Sequence, residues 1–304
     1  MTWFFIAIIG PFLYALTNHI DKIILEKYFR QGGIGTLLLF SSLLSVTSLP
    51  LVYWADPRVF AVSSFHILVL AVVGLLDVLV LVCYLIALKN DEASVVVVFY
   101  QLMPVFGYVL GYFILGERLT HMQLLAMALV IFGTTIVSFE VDSENRFRLR
   151  RKTILPMVAA SFFWATEGVI FKAVALEENF LRSFFWEHVM LTIIGIFIFV
   201  FMRPYRAHFL SAIRNNSKAI LSLNVLNEAF YMLGNFAFAA AFMLAPVALV
   251  LMTQSFQPIF VLGIGVFLTI FFPKIAAEKI HARHLWPKII AILITGIGAY
   301  LLSI

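Results

Sequence analysis

Five polar residues, Asn224, Asn227, Glu228, Tyr231 and Asn235, interrupt an otherwise apolar run at spacings of 3, 1, 3 and 4. On a helix these intervals place all five on one face. Turned toward hydrocarbon, the face would leave three amides, a phenol and a carboxyl without hydrogen-bond partners. It must instead meet other helices as a hydrogen-bonded seam, or line a watery cavity. Other apolar runs carry further candidates. Glu167 follows Trp164 by one turn; it is either a substrate or proton site, or an ion-pair partner of Lys172, which lies five residues on and on a different face. Asp77, with Tyr84 two turns on, is a second buried acid, functional or silent. Glu187 and His188 form a proton-exchange pair or an interfacial anchor. Tyr14, Asn18 and Asp21 share one face, with His19 and Lys22 alongside; Asp21 and Lys22 sit near a helix end, where an interfacial ion pair or a snorkelling lysine is expected. Tyr100 and Gln101 precede Pro104, and Gln254 and Gln257 precede Pro258. Proline removes a helix hydrogen bond and frees a carbonyl, so both places are candidate hinges or ligand contacts.

Together these groups suit recognition of a positive charge. Four acids within the apolar runs (Asp77, Glu167, Glu187, Glu228) face one internal cation, Lys172. Charge at bilayer depth is costly and marks pathways or proton relays. Glu167 and Glu228 are the leading candidates for charge recognition or proton carriage. Asn227, Tyr231, Gln254 and Gln257 would supply hydrogen bonds, and Tyr14, Tyr100 and Trp164 the walls.

The elements that must hold these residues follow from composition. Of 304 residues, 63% are hydrophobic and 12% charged, about half the charge of an ordinary soluble domain. Spanning backbone must satisfy its own hydrogen bonds, and the apolar runs are far longer than barrel strands, without period-2 alternation. Helices are therefore expected, at 3–25, 36–54, 65–88, 93–115, 121–139, 154–176, 181–202, 219–244, 247–272 and 285–304. The first span has no basic leader before it and is expected to be retained. The single cysteine, Cys83, can form no internal disulfide. The net charge of +5 arises in the joints between spans, so no nucleic-acid partner is expected.

A charged stretch from Glu140 to Lys152 divides five spans from five, and the halves correspond. Phe12-Leu13-Tyr14-Ala15 with Lys22 matches Phe162-Phe163-Trp164-Ala165 with Lys172. Pro104-Val105-Phe106 matches Pro258-Ile259-Phe260, Glu117-Arg118-Leu119 matches Glu278-Lys279-Ile280, and Gly133 matches Gly296. Repeats of five spans must insert in opposite senses, an architecture of secondary transporters with the substrate site near the midplane. Residues 1–140 and 153–304 are read as the two repeats, with 141–152 as a charged linker. Only Arg58, Arg118 and Arg182 fall in the even-numbered joints, and Lys172 is internal; the other seventeen of 21 Lys and Arg lie on the odd-joint side. The positive-inside rule then puts the odd joints in the cytoplasm and both termini outside.

These landmarks, with Ala87-Leu88, Ala93 and Leu115-Gly116-Glu117-Arg118-Leu119, resemble the drug/metabolite transporter superfamily and its ten-helix EamA-type members. The resemblance covers nearly the whole chain, although Phe272-Pro273-Lys274 replaces the usual Leu-Gly-Glu joint of the second half. It implies an integral protein of the cytoplasmic membrane that moves small metabolites; members are commonly drawn with both termini inside, against the charge bias. The sequence carries no Walker loop, dinucleotide fingerprint, Cys-x-x-Cys or His-Glu-x-x-His, so no cofactor or metal is expected and uphill transport must draw on a gradient. The expected function is proton-coupled, alternating-access transport of a small amine-bearing, cationic or zwitterionic metabolite, by a monomer or homodimer in contact with membrane lipid. A lipid-headgroup flippase of the same fold is one alternative; an intramembrane enzyme with His188, Glu187 and Glu228 as a metal or acid–base cluster is another, and a receptor that transports nothing is a third.

Overall fold

The computed structural model describes residues 2–28, 33–118, 120–122, 124–125, 128–129, 132, 139–141, 147–272, 286, 289–290, 293–294 and 296–298. Among them are eight helices long and apolar enough to cross a membrane. They are α1 (Thr2–Lys27), α2 (Gly33–Ala55), α3 (Ser64–Asn90), α4 (Ala93–Leu115), α5 (Arg151–Glu177), α6 (Phe180–Phe201), the spanning part Lys218–Phe242 of α7 (Arg203–Phe242), and α8 (Val247–Phe271). The expected spans at 121–139 and 285–304 lie mostly outside the described residues. Most of the linker expected at 141–152 is structured where described. Strands β1 (Phe139–Val141) and β2 (Phe147–Leu149) pair antiparallel, and α5 already begins at Arg151.

Helix ends follow local chemistry. Ser63 caps α3, its side chain accepting from the His66 N–H at 3.2 Å. Gly116, with φ at +69°, ends α4 in the left-handed region that glycine enters without strain, and the turn closes with Glu117 N–H donating to Gly111 O at 3.1 Å. That turn points Glu117 back toward the bundle. α7 starts sixteen residues before the expected span, at Arg203. Pro204 lies in the first turn, where its missing N–H costs nothing, and no breaker follows before the apolar run.

Two helices share a distinctive interruption. In α4 a 3₁₀ stretch, Val97–Leu102, precedes Met103 and Pro104; in α8 a 3₁₀ stretch, Thr253–Phe256, precedes Gln257 and Pro258. Each proline denies a bond to the carbonyl four residues back and tightens the preceding turn. The freed Gln254 carbonyl accepts from Gln101 Nε2 at 3.0 Å, so the two breaks are tied where α4 crosses α8.

The helix contacts come in matched sets. The most extensive is α3 with α5, followed by α7 with α1; α4 with α5 is echoed by α8 with α1, and α6 with α3 by α7 with α2. Among the described residues most of the packing therefore joins residues before the ribbon to residues after it, and the core lies along that seam. Glycines allow the closest approaches: a Cβ on Gly10 would meet the Phe238 ring at 2.3 Å, and one on Gly195 would meet Ser42 Cβ at 2.8 Å.

Candidate functional site

At the centre of the bundle lies a partly open chamber of about 60 Å³. The α1 face supplies Tyr14, Thr17, Asn18 and Asp21, at helical spacing, and α7 supplies Asn224, Asn227, Glu228 and Tyr231. Asp77 and Tyr84 enter from α3, Ser41 and Ser42 from α2, Tyr100 from α4, Trp164 from α5 and Gln257 from α8. Except for Gln257, these residues sit within one residue of the mid-point of their helix or nearer its basic end. No Lys, Arg or His is among the described residues lining the chamber.

Each of the three lining acids accepts a hydrogen bond from a neighbouring helix. Tyr231 Oη donates to Asp77 Oδ1 at 2.6 Å, Ser41 Oγ to Glu228 Oε2 at 2.7 Å, and Asn227 Nδ2 to Asp21 Oδ1 at 2.7 Å. A second string runs from Gln257 Nε2 to Asn18 Oδ1 at 2.7 Å and from Asn18 Nδ2 to Tyr84 Oη at 2.8 Å. Aromatic rings complete the wall. Tyr84 stacks on Tyr100 with centroids 6.2 Å apart, Tyr100 meets Trp164 edge-on at 5.1 Å, and Trp164 meets Tyr14 at 5.4 Å.

Nine of the fifteen residues expected at the site line this chamber: Tyr14, Asn18, Asp77, Tyr100, Trp164, Asn227, Glu228, Tyr231 and Gln257. Six do not. Gln101 and Gln254 hold the α4–α8 crossing instead. Asn235 turns away from its stripe to donate to Glu187 Oε1 at 3.4 Å. His188 bonds the Phe184 carbonyl through Nδ1 at 3.0 Å and lies against the Phe184 ring at 4.0 Å, packed rather than presented. Glu167, only 4% exposed, has an oxygen, Oε2, with no partner among the described residues. It and Glu187 lie beyond the chamber floor, away from the basic ends, close enough to interact electrostatically with each other and with Asp77. Among the described residues no three His, Cys, Asp or Glu side chains are grouped to hold a metal ion, so His188, Glu187 and Glu228 do not form a metal cluster.

Sequence reasoning set Asp21 aside as half of an interfacial pair with Lys22. Instead Asp21 faces the chamber, while Lys22 donates to the carbonyls of Leu88 at 2.8 Å and Asp91 at 2.7 Å and pairs with Glu26 at 3.2 Å. The signal was present, since Asp21 continues the Tyr14–Asn18 face. Lys172 does not reach Glu167: it donates to Glu117 Oε1 and to Ala245 O, both at 2.8 Å, while Val247 N–H donates to Glu117 Oε2 at 3.0 Å. Glu117 thus sits at a helix junction and does not line the chamber.

The end remote from the basic joints is heavily tied. Beside the Lys172–Glu117 contact, Arg182 Nε donates to Asp56 Oδ2 at 3.1 Å and Trp186 Nε1 to Val59 O at 2.8 Å. His66 lies 2.6 Å from Glu178, whose carboxyl is held below the usual range by the His66 bond and the Ser63 N–H. Asp56 is likewise held low, first by the Arg58 N–H and then by Arg182. At the basic end Arg150 pairs with Asp91 at 2.6 Å.

With this geometry in place, the comparisons with known proteins can be read. The sequence model of the EamA-like transporter family matches residues 1–139. Over that stretch the chain is similar to EamA-like transporters. The resemblance to the drug/metabolite transporters is borne out over that stretch, and the eight long apolar helices mark an integral, multi-pass membrane protein. No curated protein matches the sequence. Twenty-eight chains of known structure match; one, described as "Crystal structure of protein", superposes with a TM-score of 0.60 over 99% of this chain and 94% of its own, at 14% identity. At that identity the likeness concerns fold alone, and it carries the architecture past the EamA match into the second half.

Proposed function

We propose that this EamA-type protein is a gradient-driven, proton-coupled transporter of a small amine-bearing, cationic or zwitterionic metabolite. The observation that carries the reading is the chamber wall: Asp21, Asp77 and Glu228 line it, and no cationic side chain is among its described lining residues. An uncompensated set of acids at bilayer depth is costly unless a cation or protons visit it. The matched helix contacts support two halves related by inverted repetition, the arrangement in which one half rocks against the other around a midplane site. The tied remote end and the placement of the chamber toward the basic joints support a form open on the basic side. By the positive-inside rule that side is the cytoplasm, with both termini outside. Glu167 and Glu187, between the chamber floor and the tied end, are placed to receive the proton or the cation when the ends exchange.

The test is a thermal-shift screen of amines, amino acids and organic acids on purified protein at two pH values, followed by flux in proteoliposomes with an imposed pH gradient. Hits should be cationic or zwitterionic, should be weakened at least tenfold by Asp77→Asn or Glu228→Gln, and should move only when the gradient is present. A purely anionic hit, or one that both substitutions leave unchanged, refutes the assignment.

A further inference from the structure

Arg203, Arg206 and Arg214 stand in the part of α7 that precedes its span, with Leu210 between the last two. Their spacings of 3, 4 and 4 put all four residues on one helical face. Another side of the helix is committed to the bundle. Tyr205 lies against Gly35 near the start of α2, and the buried Phe209 meets the Phe40 ring of α2 at 4.6 Å and Phe199 of α6 at 5.9 Å. α2 begins and α6 ends at the basic end, so the arginine face looks outward beside the place where these helices enter the bilayer. Arg203 and Arg214 are exposed, and so are Leu210 at 49% and, just ahead, Phe201 at 68% and Met202 at 43%.

No acid answers these charges. The sequence has no Asp or Glu between Glu187 and Glu228, and the ion pairs of the described residues leave all three arginines out. Arg206 spends one N–H on the Val200 carbonyl at 3.3 Å. At the same end, by contrast, Arg150 pairs with Asp91 and Lys22 with Glu26. The positive-inside bias asks for cations on this side of the membrane but not for their alignment. Aligned cations with exposed apolar side chains among them are the pattern of a helix seated against lipid, cations toward the headgroups and apolar groups toward the acyl boundary. A guanidinium fork matches two phosphate oxygens at once. The exposed Leu210, Phe201 and Met202 favour an occupant that is apolar as well as anionic, which a free phosphate is not.

We propose that the Arg203, Arg206 and Arg214 face of α7 binds the headgroup of an anionic phospholipid, with the guanidinium groups on its phosphate and Leu210 against its glycerol and upper acyl region. The same helix carries Asn224, Asn227, Glu228 and Tyr231 into the chamber, so a lipid held here steadies α7 and lets the composition of the leaflet act on the chamber. What the chamber binds has no bearing on this surface, and the cation reading stands or falls separately.

Retention of phosphatidylglycerol and of phosphatidylcholine by the purified full-length protein is measured by native mass spectrometry from mixed micelles. The unaltered protein should hold phosphatidylglycerol at least tenfold more tightly than phosphatidylcholine. An arginine beside an anionic surface is worth about fivefold in affinity. Combining Arg203→Gln, Arg206→Gln and Arg214→Gln should therefore weaken phosphatidylglycerol at least tenfold, even after screening by salt, and change phosphatidylcholine less than twofold. Arg203→Lys, Arg206→Lys and Arg214→Lys together keep the charge and should recover part of the affinity, which a misfolded helix would not allow. Lys27→Gln, Lys89→Gln and Lys152→Gln together remove the same charge from other exposed positions of the basic side and should cost less than threefold. Equal retention of the two lipids, equal losses in the arginine and lysine sets, or no recovery with lysine overturns the proposal. Displacement of bound phosphatidylglycerol by millimolar inorganic phosphate overturns it as well and marks a soluble-anion site instead.

Discussion

The Lys172–Glu117 contact gives the sharpest energetic test of how the halves are held. Both side chains are 11% exposed, and four helix segments meet there: Lys172 of α5, Glu117 just past α4, Ala245 just past α7, and Val247 opening α8. Lys172→Met removes two hydrogen bonds and leaves the Glu117 carboxylate with only the Val247 N–H. Removing one member of a buried ion pair costs about 3–5 kcal/mol, and the residual exposure places this case near the lower value. Glu117→Gln keeps a neutral acceptor for Lys172 and should cost about 1–2 kcal/mol, the scale of a hydrogen bond that loses its charge. Because the double variant leaves no unpaired charge, its loss should fall short of the sum by about 1 kcal/mol or more. The assay is a double-mutant cycle by reversible denaturation in mixed micelles, repeated in high salt, where a contact this enclosed should change little. Additivity within about 0.5 kcal/mol, or a silent Lys172→Met, would refute the reasoning.

Three further outcomes are expected. Glu178 has a lowered folded-state pKa, so its contribution to stability is fully present above the ordinary glutamate value of about 4.3 and is lost as pH falls through the lower folded value; Glu178→Gln should lower the melting temperature at neutral pH, and the difference from the unaltered protein should shrink as pH falls from about 5 to about 3. Tyr231→Phe, which deletes the 2.6 Å bond to Asp77, should slow flux about tenfold, in line with the 1.5–3 kcal/mol of a hydrogen bond to a charged group. Gln101→Ala leaves the Gln254 carbonyl at the crossing of α4 and α8 with only the Gln257 N–H and should cost about 0.5–1.5 kcal/mol of stability; a ligand affinity that fell tenfold in step would place Gln101 in the binding site instead.

Much of this was readable before any fold was known. The eight described spans begin and end within about three residues of the expected boundaries, apart from the start of α7, because the length of an apolar run is set by the bilayer. The α7 stripe was readable for the same kind of reason: one-face spacing is a property of the helix alone. What failed was partner choice. Spacing says that Asn235 shares a face with Tyr231 but not that Glu187 waits opposite its last turn. It says that Pro104 and Pro258 free carbonyls, but not that Gln101 of one half would satisfy Gln254 of the other. Asp21 was misjudged because its distance from the helix end was weighed above the face it shares with Tyr14 and Asn18. Ser41, which alone donates to Glu228 among the described residues, carried no signal, since serines in apolar helices usually bond their own backbone.

The unbroken course of α7 has a mechanical consequence. A 40-residue helix is about 60 Å long at 1.5 Å per residue, roughly twice the hydrocarbon thickness of a bilayer. The four chamber residues it carries and the exposed Arg203 and Arg214 therefore ride on one rod. A tilt of about 10° around the chamber would swing the far tip by roughly 4–6 Å at that rise, against the Tyr205 and Phe209 rings that hold it to Gly35 and Phe40 of α2. Events at membrane depth are in this way displayed in the aqueous phase, where a spin label at Arg214 could read the chamber's occupancy without entering it.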